Sequence, residues 1–169
     1  PKQWNALKLL NKDGEFLNAE EGEQILKFVE EEDFDFAEVN DLGKISFHNA
    51  YIDLHIEEVL KLNLVEVDRI KNYKFKVVVD AVNSSGGISI PPLLEMLGVE
   101  VVKLYCEPTG EFPHNPEPLA KNLQDLSKLV KEEHADLGIA VDPDVDRLAL
   151  VDEKGEMFGE EYTLVSVAD

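Results

Sequence analysis

The sequence is poor in cysteine and in basic residues, and both shortages exclude classes of protein. Cys106 is the only cysteine in the sequence, so an internal disulfide cannot form and a zinc site built from several thiolates is excluded. This cysteine usage favours a reducing compartment, and we expect a cytoplasmic protein. Lysine and arginine total 16 against 36 aspartates and glutamates, which gives a formal net charge of −20. Nucleic-acid phosphates and anionic lipids repel such a polyanion, so neither is expected as a partner.

Long apolar runs are also missing. No segment approaches the roughly 20 consecutive apolar residues that a membrane-spanning helix needs, and no secretory signal peptide is visible. We therefore expect no membrane partner. Because the chain begins at Pro1 and stops within an apolar, helix-like stretch, we expect it to be a piece of a longer protein. Its 44% hydrophobic residues suffice for one sizeable core and a second small unit.

The first of two unequal parts contains few predicted elements. The segments WNALKLLN and GEFL predict a short strand pair around a turn at Asp13 and Gly14. The segment AEEGEQILKFVEEE comes next, with apolar residues at helical spacing, and residues 34–49 form a polar connector without periodicity. These elements are too few for a domain, and the helix predicted for YIDLHIEEVLKL begins the second part.

The second part alternates predicted strands and helices. The segments KFKVVVDAV, VEVVKLY and ADLGIAV are predicted strands, and they are separated by helices predicted in SSGGISIPPLLEMLG and PEPLAKNLQDLSKLVKEEH. This βαβαβ series predicts an α/β fold, with a mostly parallel mixed sheet and helices on both faces. Only six residues separate GIAV from LALV, which is too short for a parallel crossover, so LALV is predicted to pair antiparallel.

The most informative stretch is DPDVDR, residues 142–147, which we call the aspartate loop. It places Asp142, Asp144 and Asp146 after a predicted central strand, where open α/β sheets bind their ligands. Unit charges about 4 Å apart repel by roughly 4 kcal/mol at an effective dielectric near 20, so the carboxylates either share a cation or separate into water. An extended chain would hold Asp142 and Asp146 roughly 13 Å apart, so the loop must curl to bind one ion. Oxygen ligands alone select a hard cation, Mg²⁺ ahead of Ca²⁺ or Mn²⁺.

Three other interpretations of the aspartate loop stay open at this point. An aspartate-rich turn exposed to solvent needs no ion. The segment DPDVDRLALVDE mimics the calcium loop of an EF-hand, although Arg147 stands where that loop wants glycine and its flanks are predicted strands. A haloacid-dehalogenase-type phosphotransferase would use Asp142 as nucleophile and Asp144 as acid/base. That interpretation leaves Asp146 and Arg147 without a role.

Two further loops are candidates of lower specificity. Residues 82–89, VNSSGGIS, form what we call the glycine loop, whose backbone amides could bind an anion, although a tight turn with a serine cap explains the pattern better. Residues 105–118, YCEPTGEFPHNPEP, form the proline-rich loop, which is either an ordered functional surface or a plain surface loop. The four histidines show no ligand spacing, so each is predicted to be a surface or packing residue.

Together these stretches resemble the α-D-phosphohexomutase superfamily, which includes phosphoglucomutase, phosphomannomutase and phosphoglucosamine mutase. The segment DPDVDR resembles its D-x-D-x-D-R magnesium loop, and VVVDAVNSSGGISIPPLLEMLG is similar to its D-x-x-N-G-x-G-G-x-x-x-P-x-L-L-x-x-L-G stretch. The segment FPHNPEPLAKNL is similar to a family loop before a helix, and PKQWNALK resembles the residues after the phosphoserine in T-A-S-H-N-P-x-x-x-N-G-x-K. The resemblance covers nearly the whole chain. It implies that residues 1–45 are the end of the family's first domain and residues 46–169 most of its second.

The resemblance implies a reversible interconversion of hexose 1-phosphates and hexose 6-phosphates through a phosphoserine and Mg²⁺. The serine would lie three residues before Pro1, so this chain alone is expected to be inactive. The three aspartates of the aspartate loop would hold Mg²⁺ against a phosphoserine oxygen. Arg147 would bind a phosphate or stabilise the loop, and Lys8 would transfer a proton or stabilise charge.

The resemblance also concerns the partners of the chain. The sugar phosphate would bind with domains that lie outside this sequence, and the choice among mannose, glucose and glucosamine phosphates stays open. The first-domain remnant, residues 1–45, would lack part of its sheet. Unpaired strand edges pair readily with other chains, so we expect this remnant to self-associate.

Overall fold

The computed structural model describes residues 8–32 and 34–168 of the chain. The chain divides into two compact units, Pro1–His48 and Asn49–Asp169. No helix within the described residues is long and apolar enough to cross a membrane.

The first unit contains helix α1, Ala19–Glu30, as the sequence predicts. Asn18 caps this helix: its side chain accepts a hydrogen bond from the Glu21 backbone N–H, and the Glu21 carboxylate accepts one from the Asn18 N–H. None of the described residues of the first unit is buried. That residues 1–45 are the end of a family first domain, and that they self-associate, stays a prediction.

The strand pair predicted before α1 is reduced to a single antiparallel bridge between Leu10 and Phe16. The predicted turn is present, and Gly14 takes a φ of +79° in it. Residues 4–7 of the predicted first strand lie outside the described residues. In the connector, residues Val39–Asp41 form one 3₁₀ turn that the sequence does not predict.

The second unit contains a four-stranded sheet with the strand order β2-β1-β3-β4. Its strands are β1 (Lys76–Asp80), β2 (Glu100–Leu104), β3 (Leu137–Val141) and β4 (Leu148–Asp152). Strand β1 pairs in parallel with both neighbours, and Val77 lies opposite Val101 on one side and Leu137 on the other. Strand β4 pairs antiparallel with β3. The predicted mostly parallel mixed sheet is therefore confirmed.

Helices cover both faces of this sheet, as the sequence predicts. They are α2 (Tyr51–Leu60), α3 (Val67–Tyr73), α4 (Gly86–Met96) and α5 (Gln124–Glu132), and α6 (Glu160–Ala168) comes after β4. Successive residues of a strand point to opposite faces. Val78 accordingly packs in a core with Leu126 and Val130 of α5, whereas Val77 and Val79 belong to a second core that α2, α3 and α4 complete.

Helix α5 begins later than the sequence predicts. The apolar spacing predicts a helix over residues 116–134, but the residues before Gln124 form turns. The Leu119 N–H and the Asn122 side-chain amide both donate to the Glu117 carbonyl. Asparagine side chains often compete with the backbone in this way, and here the competition delays the helix. The sequence also misses α3, because seven residues are too few for a helical period to be recognised.

Candidate functional site

The aspartate loop lies at the carboxyl end of β3, which is flanked by β1 and β4. One carboxylate oxygen from each of Asp142, Asp144 and Asp146 lies within 4.8 Å of the other two. Asp142 is buried, and the other two aspartates are exposed. Across residues 8–32 and 34–168, this is the one group of three or more acidic, histidine or cysteine side chains that converges in this way. The loop therefore has the curl that a shared cation requires.

The loop curls because Asp142 binds the second half of the loop. Its Oδ1 accepts hydrogen bonds from the backbone N–H groups of Asp146 and Arg147, both at 3.0 Å. Its carbonyl oxygen accepts another from the Val145 N–H at 3.2 Å. Val145 takes a φ of +62°, a left-handed conformation that β-branched residues rarely adopt. These contacts return the chain toward Asp142 and bring the Asp146 carboxylate beside it.

The glycine loop contacts the first half of the aspartate loop. The hydroxyls of Ser84 and Ser85 both donate to the Pro143 carbonyl oxygen, at 2.9 and 2.6 Å. The predicted tight turn is present, since Val82 and Asn83 have consecutive positive φ values. The predicted serine cap is wrong, because Ser85 at the start of α4 makes no side-chain capping bond. The serine hydroxyls bind the neighbouring loop instead.

Two glycines allow the start of α4 to lie close to its neighbours. A Cβ at Gly86 would be 2.5 Å from Val141 Cγ2 and 3.6 Å from Val145 Cγ2. A Cβ at Gly87 would overlap the Cys106 carbonyl. Larger residues at either position would therefore move α4 away from the aspartate loop or from the chain after β2.

Arg147 lies beside two of the three aspartates. Its Nε is 3.8 Å from Asp142 Oδ2 and 3.8 Å from Asp146 Oδ1. A terminal guanidinium nitrogen lies 3.7 Å from a carboxylate oxygen of Glu117 in the proline-rich loop. All three distances exceed hydrogen-bonding range, so these contacts are ion pairs. The Arg147 side chain is exposed, which leaves its guanidinium accessible to a bound phosphate.

The electrostatics of the aspartate loop favour a bound cation. Burial raises the pKa of Asp142 above its usual value, the hydrogen bond from the Arg147 backbone amide opposes this, and the charges of Asp146 and Asp144 raise the pKa further. One guanidinium does not balance three ionised carboxylates, so the group keeps a net negative charge. Its donors are carboxylate oxygens, which suit a hard divalent cation such as Mg²⁺. The residues present therefore fit such an ion.

The structure contradicts the EF-hand interpretation of this segment. An EF-hand loop joins two helices, whereas the aspartate loop joins strands β3 and β4. The twelve-residue pattern from Asp142 to Glu153 contains the whole of β4, so its last residue lies at the far end of a strand. The segment therefore cannot wrap a single ion as an EF-hand loop does.

A second buried carboxylate, Asp80 at the end of β1, is absent from the sequence-based candidates. Its Oδ2 lies 2.9 Å from His114 Nε2 in the proline-rich loop, and its Oδ1 accepts a hydrogen bond from the Val82 N–H at 3.0 Å. His114 Nδ1 lies 2.8 Å from the Asn115 carbonyl oxygen, so both ring nitrogens face acceptors. The bond to Asp80 raises the pKa of His114, and burial opposes that shift. The sequence does contain a signal for Asp80, because this aspartate directly follows three consecutive valines of a predicted strand.

Lys8 belongs to the first unit, where it is exposed and precedes the bridge formed by Leu10. The aspartate loop belongs to the second unit. The structure thus brings together the four predicted residues of the aspartate loop, and the role of Lys8 stays a prediction.

Comparisons with protein families and with curated proteins agree with one another. The family model described as phosphoglucomutase/phosphomannomutase, alpha/beta/alpha domain II, matches residues 50–155. A phosphoglucomutase/phosphomannomutase of Thermococcus kodakarensis is 36% identical over 170 residues, which cover 100% of this chain and 37% of that protein. A Methanosarcina barkeri protein named "Probable phosphoglucosamine mutase" is 39% identical over 156 residues, which cover 92% of this chain and 34% of that protein. The chain therefore spans about a third of the length of these curated relatives.

A solved structure supports the same relation. A phosphoglucomutase/phosphomannomutase family protein from Burkholderia thailandensis matches this chain with a TM-score of 0.67 and 27% sequence identity. The match covers 90% of this chain and 31% of that one. The α/β fold described above is therefore one that solved phosphohexomutases contain.

Proposed function

The chain belongs to the phosphoglucomutase/phosphomannomutase family, and we propose that it is part of a phosphohexomutase. The proposed reaction interconverts a hexose 1-phosphate and a hexose 6-phosphate through a phosphoserine supplied by the longer protein. The observation that carries the proposal is the convergence of three carboxylates after β3, in a chain whose residues 50–155 match the family's second domain. Family membership removes the support for a haloacid-dehalogenase-type nucleophile at Asp142.

In the proposed enzyme, the aspartate loop holds Mg²⁺. Asp142, Asp144 and Asp146 would each supply one of the carboxylate oxygens that lie within 4.8 Å of one another. Asp142 would use Oδ2, because its Oδ1 already accepts two backbone hydrogen bonds. When bound, the cation supplies charge stabilisation for the transferring phosphoryl group.

Arg147 is proposed to bind a phosphate of the sugar or of the phosphoserine. Its ion pairs with Asp142, Asp146 and Glu117 keep the guanidinium beside the aspartate loop. A guanidinium presents a planar set of N–H donors that matches phosphate oxygens, and it stays charged at every physiological pH. A phosphate at this position would contact both the cation and the arginine, which holds the phosphoryl group in place for transfer.

Lys8 is proposed to transfer a proton or to stabilise charge during phosphoryl transfer. This role rests on the resemblance of PKQWNALK to the family segment after the phosphoserine. Acid–base help is worth about 10²–10⁴-fold, so Lys8→Met in the longer protein should lower kcat by about that factor. Lys44→Met, at another exposed lysine of the first unit, is the matched control. Wild-type kcat in a correctly phosphorylated Lys8→Met protein would remove Lys8 from the mechanism.

Trapping of a radiolabelled phosphoryl group tests the reaction class. The longer protein is incubated with Mg²⁺ and a labelled hexose phosphate, and the labelled protein is then treated with hydroxylamine. A label that survives is expected, since a phosphoserine resists hydroxylamine, and Asp144→Asn should reduce the labelling. A label released by hydroxylamine would indicate an aspartyl phosphate and would contradict the proposal. Turnover of glucose, mannose and glucosamine phosphates then identifies the sugar, because the relatives carry names of both mutase types.

A further inference from the structure

The two halves of the aspartate loop are held by different groups. The second half, residues 145–147, donates three backbone N–H hydrogen bonds to Asp142, two to its Oδ1 and one to its carbonyl oxygen. The first half is contacted from outside, where the hydroxyls of Ser84 and Ser85 donate to the Pro143 carbonyl oxygen. A carbonyl oxygen has two lone pairs, so it can accept both bonds. We propose that Ser84 and Ser85 are positioning residues for the cation site, an inference that rests on the proposed function.

The orientation of the Pro143 carbonyl affects the direction in which the chain enters Asp144. Asp142 directly follows β3, and the proline ring fixes φ of Pro143 at about −65°. The peptide bonds on either side are planar, so the backbone between Pro143 and Asp144 rotates only at ψ of Pro143 and φ of Asp144, before the χ angles of the Asp144 side chain. A change in ψ of Pro143 rotates its carbonyl group, so holding the carbonyl oxygen in place also restricts ψ. Two hydroxyls bonded to the carbonyl oxygen therefore restrict the Asp144 carboxylate relative to Asp142.

The fold of the glycine loop places both serines at this carbonyl. Val82 and Asn83, with φ of 46° and 53°, turn the chain sharply after β1. Gly86 follows the two serines, and its lack of a side chain lets the start of α4 approach Val141 at the end of β3. The family stretch D-x-x-N-G-x-G-G has glycine where this chain has Ser84, so the Ser84 hydroxyl departs from the stretch that this chain resembles.

The expected consequence is a change in cation affinity with little change in fold stability. Groups that orient the ligands of a metal typically change its affinity by about 10–100-fold when they are removed. The double variant Ser84→Ala/Ser85→Ala should therefore bind Mn²⁺ about tenfold more weakly than the wild type. Each single variant keeps one hydroxyl on the Pro143 carbonyl, so each should lose less affinity.

Calorimetric titration of the 169-residue chain with Mn²⁺ alone measures this affinity. Ser89→Ala is the matched control, because Ser89 lies in the first turns of α4, just after the two serines, and its hydroxyl is directed to the Ser85 and Gly86 carbonyls, at 3.4 and 3.5 Å. Its affinity should equal that of the wild type. The variant Ser84→Thr/Ser85→Thr keeps both hydroxyls and should recover most of the lost affinity. Urea unfolding in EDTA checks that each variant is folded.

Nuclear magnetic resonance gives a second readout that needs no cation. In EDTA, the Pro143 carbonyl-carbon and Asp144 amide resonances should shift in the double alanine variant and stay in place in Ser89→Ala. A merely structural role of the serines would lower the urea midpoint and leave the Mn²⁺ affinity of the folded variant unchanged. Should the double variant not fold, the two single variants and the threonine variant supply the same comparison.

Asp144→Asn distinguishes failure of this inference from failure of the proposed function. If Asp144→Asn abolishes Mn²⁺ binding and the serine variants bind like the wild type, the positioning role is overturned and the cation site stands. If Asp144→Asn binds Mn²⁺ like the wild type, the cation site is wrong and the positioning role fails with it. Weaker binding in the double alanine variant, with recovery by threonine, supports both.

Discussion

Two neighbouring parallel strands, β1 and β3, lead into buried aspartates with different partners. Asp80 ends β1 and is 1% exposed, and Asp142 comes directly after β3 and is 5% exposed. Each accepts at least one backbone hydrogen bond from a residue later in the chain, and each faces a basic side chain. His114 lies 2.9 Å from Asp80 and is half-buried, whereas Arg147 lies 3.8 Å from Asp142 and is exposed. The Asp80 carboxylate is thus satisfied within the chain, while Asp142 shares an excess of negative charge with two further aspartates.

Burial alone therefore does not indicate the role of an acidic residue. A buried carboxylate with a close partner and a bonded backbone stabilises the fold, because removing either partner leaves the other unsatisfied. A buried carboxylate next to other carboxylates is repelled by their charges, and a bound cation relieves this repulsion, so the same burial here fits a binding role. Substitutions at the two aspartates should therefore have opposite effects on stability.

The largest expected effect is that of Asp80→Ala. The variant loses the ion pair with His114 and the bond to the Val82 N–H, both of which are buried or half-buried. Breaking such a pair should lower the free energy of unfolding by about 3 kcal/mol, measured by urea denaturation. Asp125→Ala removes an exposed carboxylate that accepts a bond from the Tyr105 hydroxyl, and it should cost less than about 1 kcal/mol. Equal losses in both variants would contradict the structural role of Asp80.

Asp142→Asn should separate cation affinity from stability. The asparagine oxygen can still accept the two backbone hydrogen bonds at Oδ1, but it removes one charge from the crowded aspartate loop. We expect Mn²⁺ affinity to fall about 100-fold, equivalent to about 2.7 kcal/mol. In EDTA, the free energy of unfolding should rise by about 1 kcal/mol, because a site built for a cation is repulsive without one. If Asp142→Asn were instead less stable than the wild type, Asp142 would stabilise the fold as Asp80 does.

The sequence predicts the sheet well because its signals are local. Each strand of the second unit is a short apolar run, and the distance between GIAV and LALV decides that β4 is antiparallel. The apolar spacing predicts a helix wrongly where a side chain takes the place of a backbone hydrogen-bond donor, as the Asn122 amide does at the Glu117 carbonyl before α5. Helix periodicity counts apolar residues and does not register such a contact.

The aspartates of the candidate site can also be predicted from sequence, because all three lie within one five-residue stretch. The contacts of the site made by residues distant in sequence cannot be predicted in this way. His114 is 34 residues from Asp80, and Ser84 is 59 residues from Pro143. Their meeting depends on which strand ends the sheet brings together, and strand order is known only once the sheet is formed. A serine in a glycine-rich turn is therefore interpreted as a helix cap until its partner is seen.

The His114–Asp80 pair predicts a pH dependence of stability. The bond to Asp80 raises the folded-state pKa of His114 above its ordinary value of about 6.5. The pair therefore stabilises the fold fully below about pH 6.5, and this contribution is lost as the pH rises through the folded-state pKa. The loss amounts to about 1.4 kcal/mol for each unit between the two pKa values. His114→Gln should remove the part of the urea-unfolding profile that changes above about pH 6.5, and His55→Gln, at an exposed histidine, should keep it.

The smallest expected effect belongs to the Arg147–Glu117 pair, the exposed counterpart of His114–Asp80. The two charged groups lie 3.7 Å apart, and both side chains are 58% exposed, so water and salt screen them. Pairs of this kind contribute about 0–1 kcal/mol, and Glu117→Gln should change the free energy of unfolding by less than about 0.5 kcal/mol. Glu117 also holds part of the Arg147 charge away from the aspartates, so its removal should weaken Mn²⁺ binding slightly, by about twofold, whereas Arg147→Gln should tighten it. A loss of stability in Glu117→Gln as large as that in Asp80→Ala would mean that the ion pair near Asp142 stabilises the fold as much as the pair at Asp80 does. The ends of β1 and β3 would then differ only in the additional carboxylates beside Asp142.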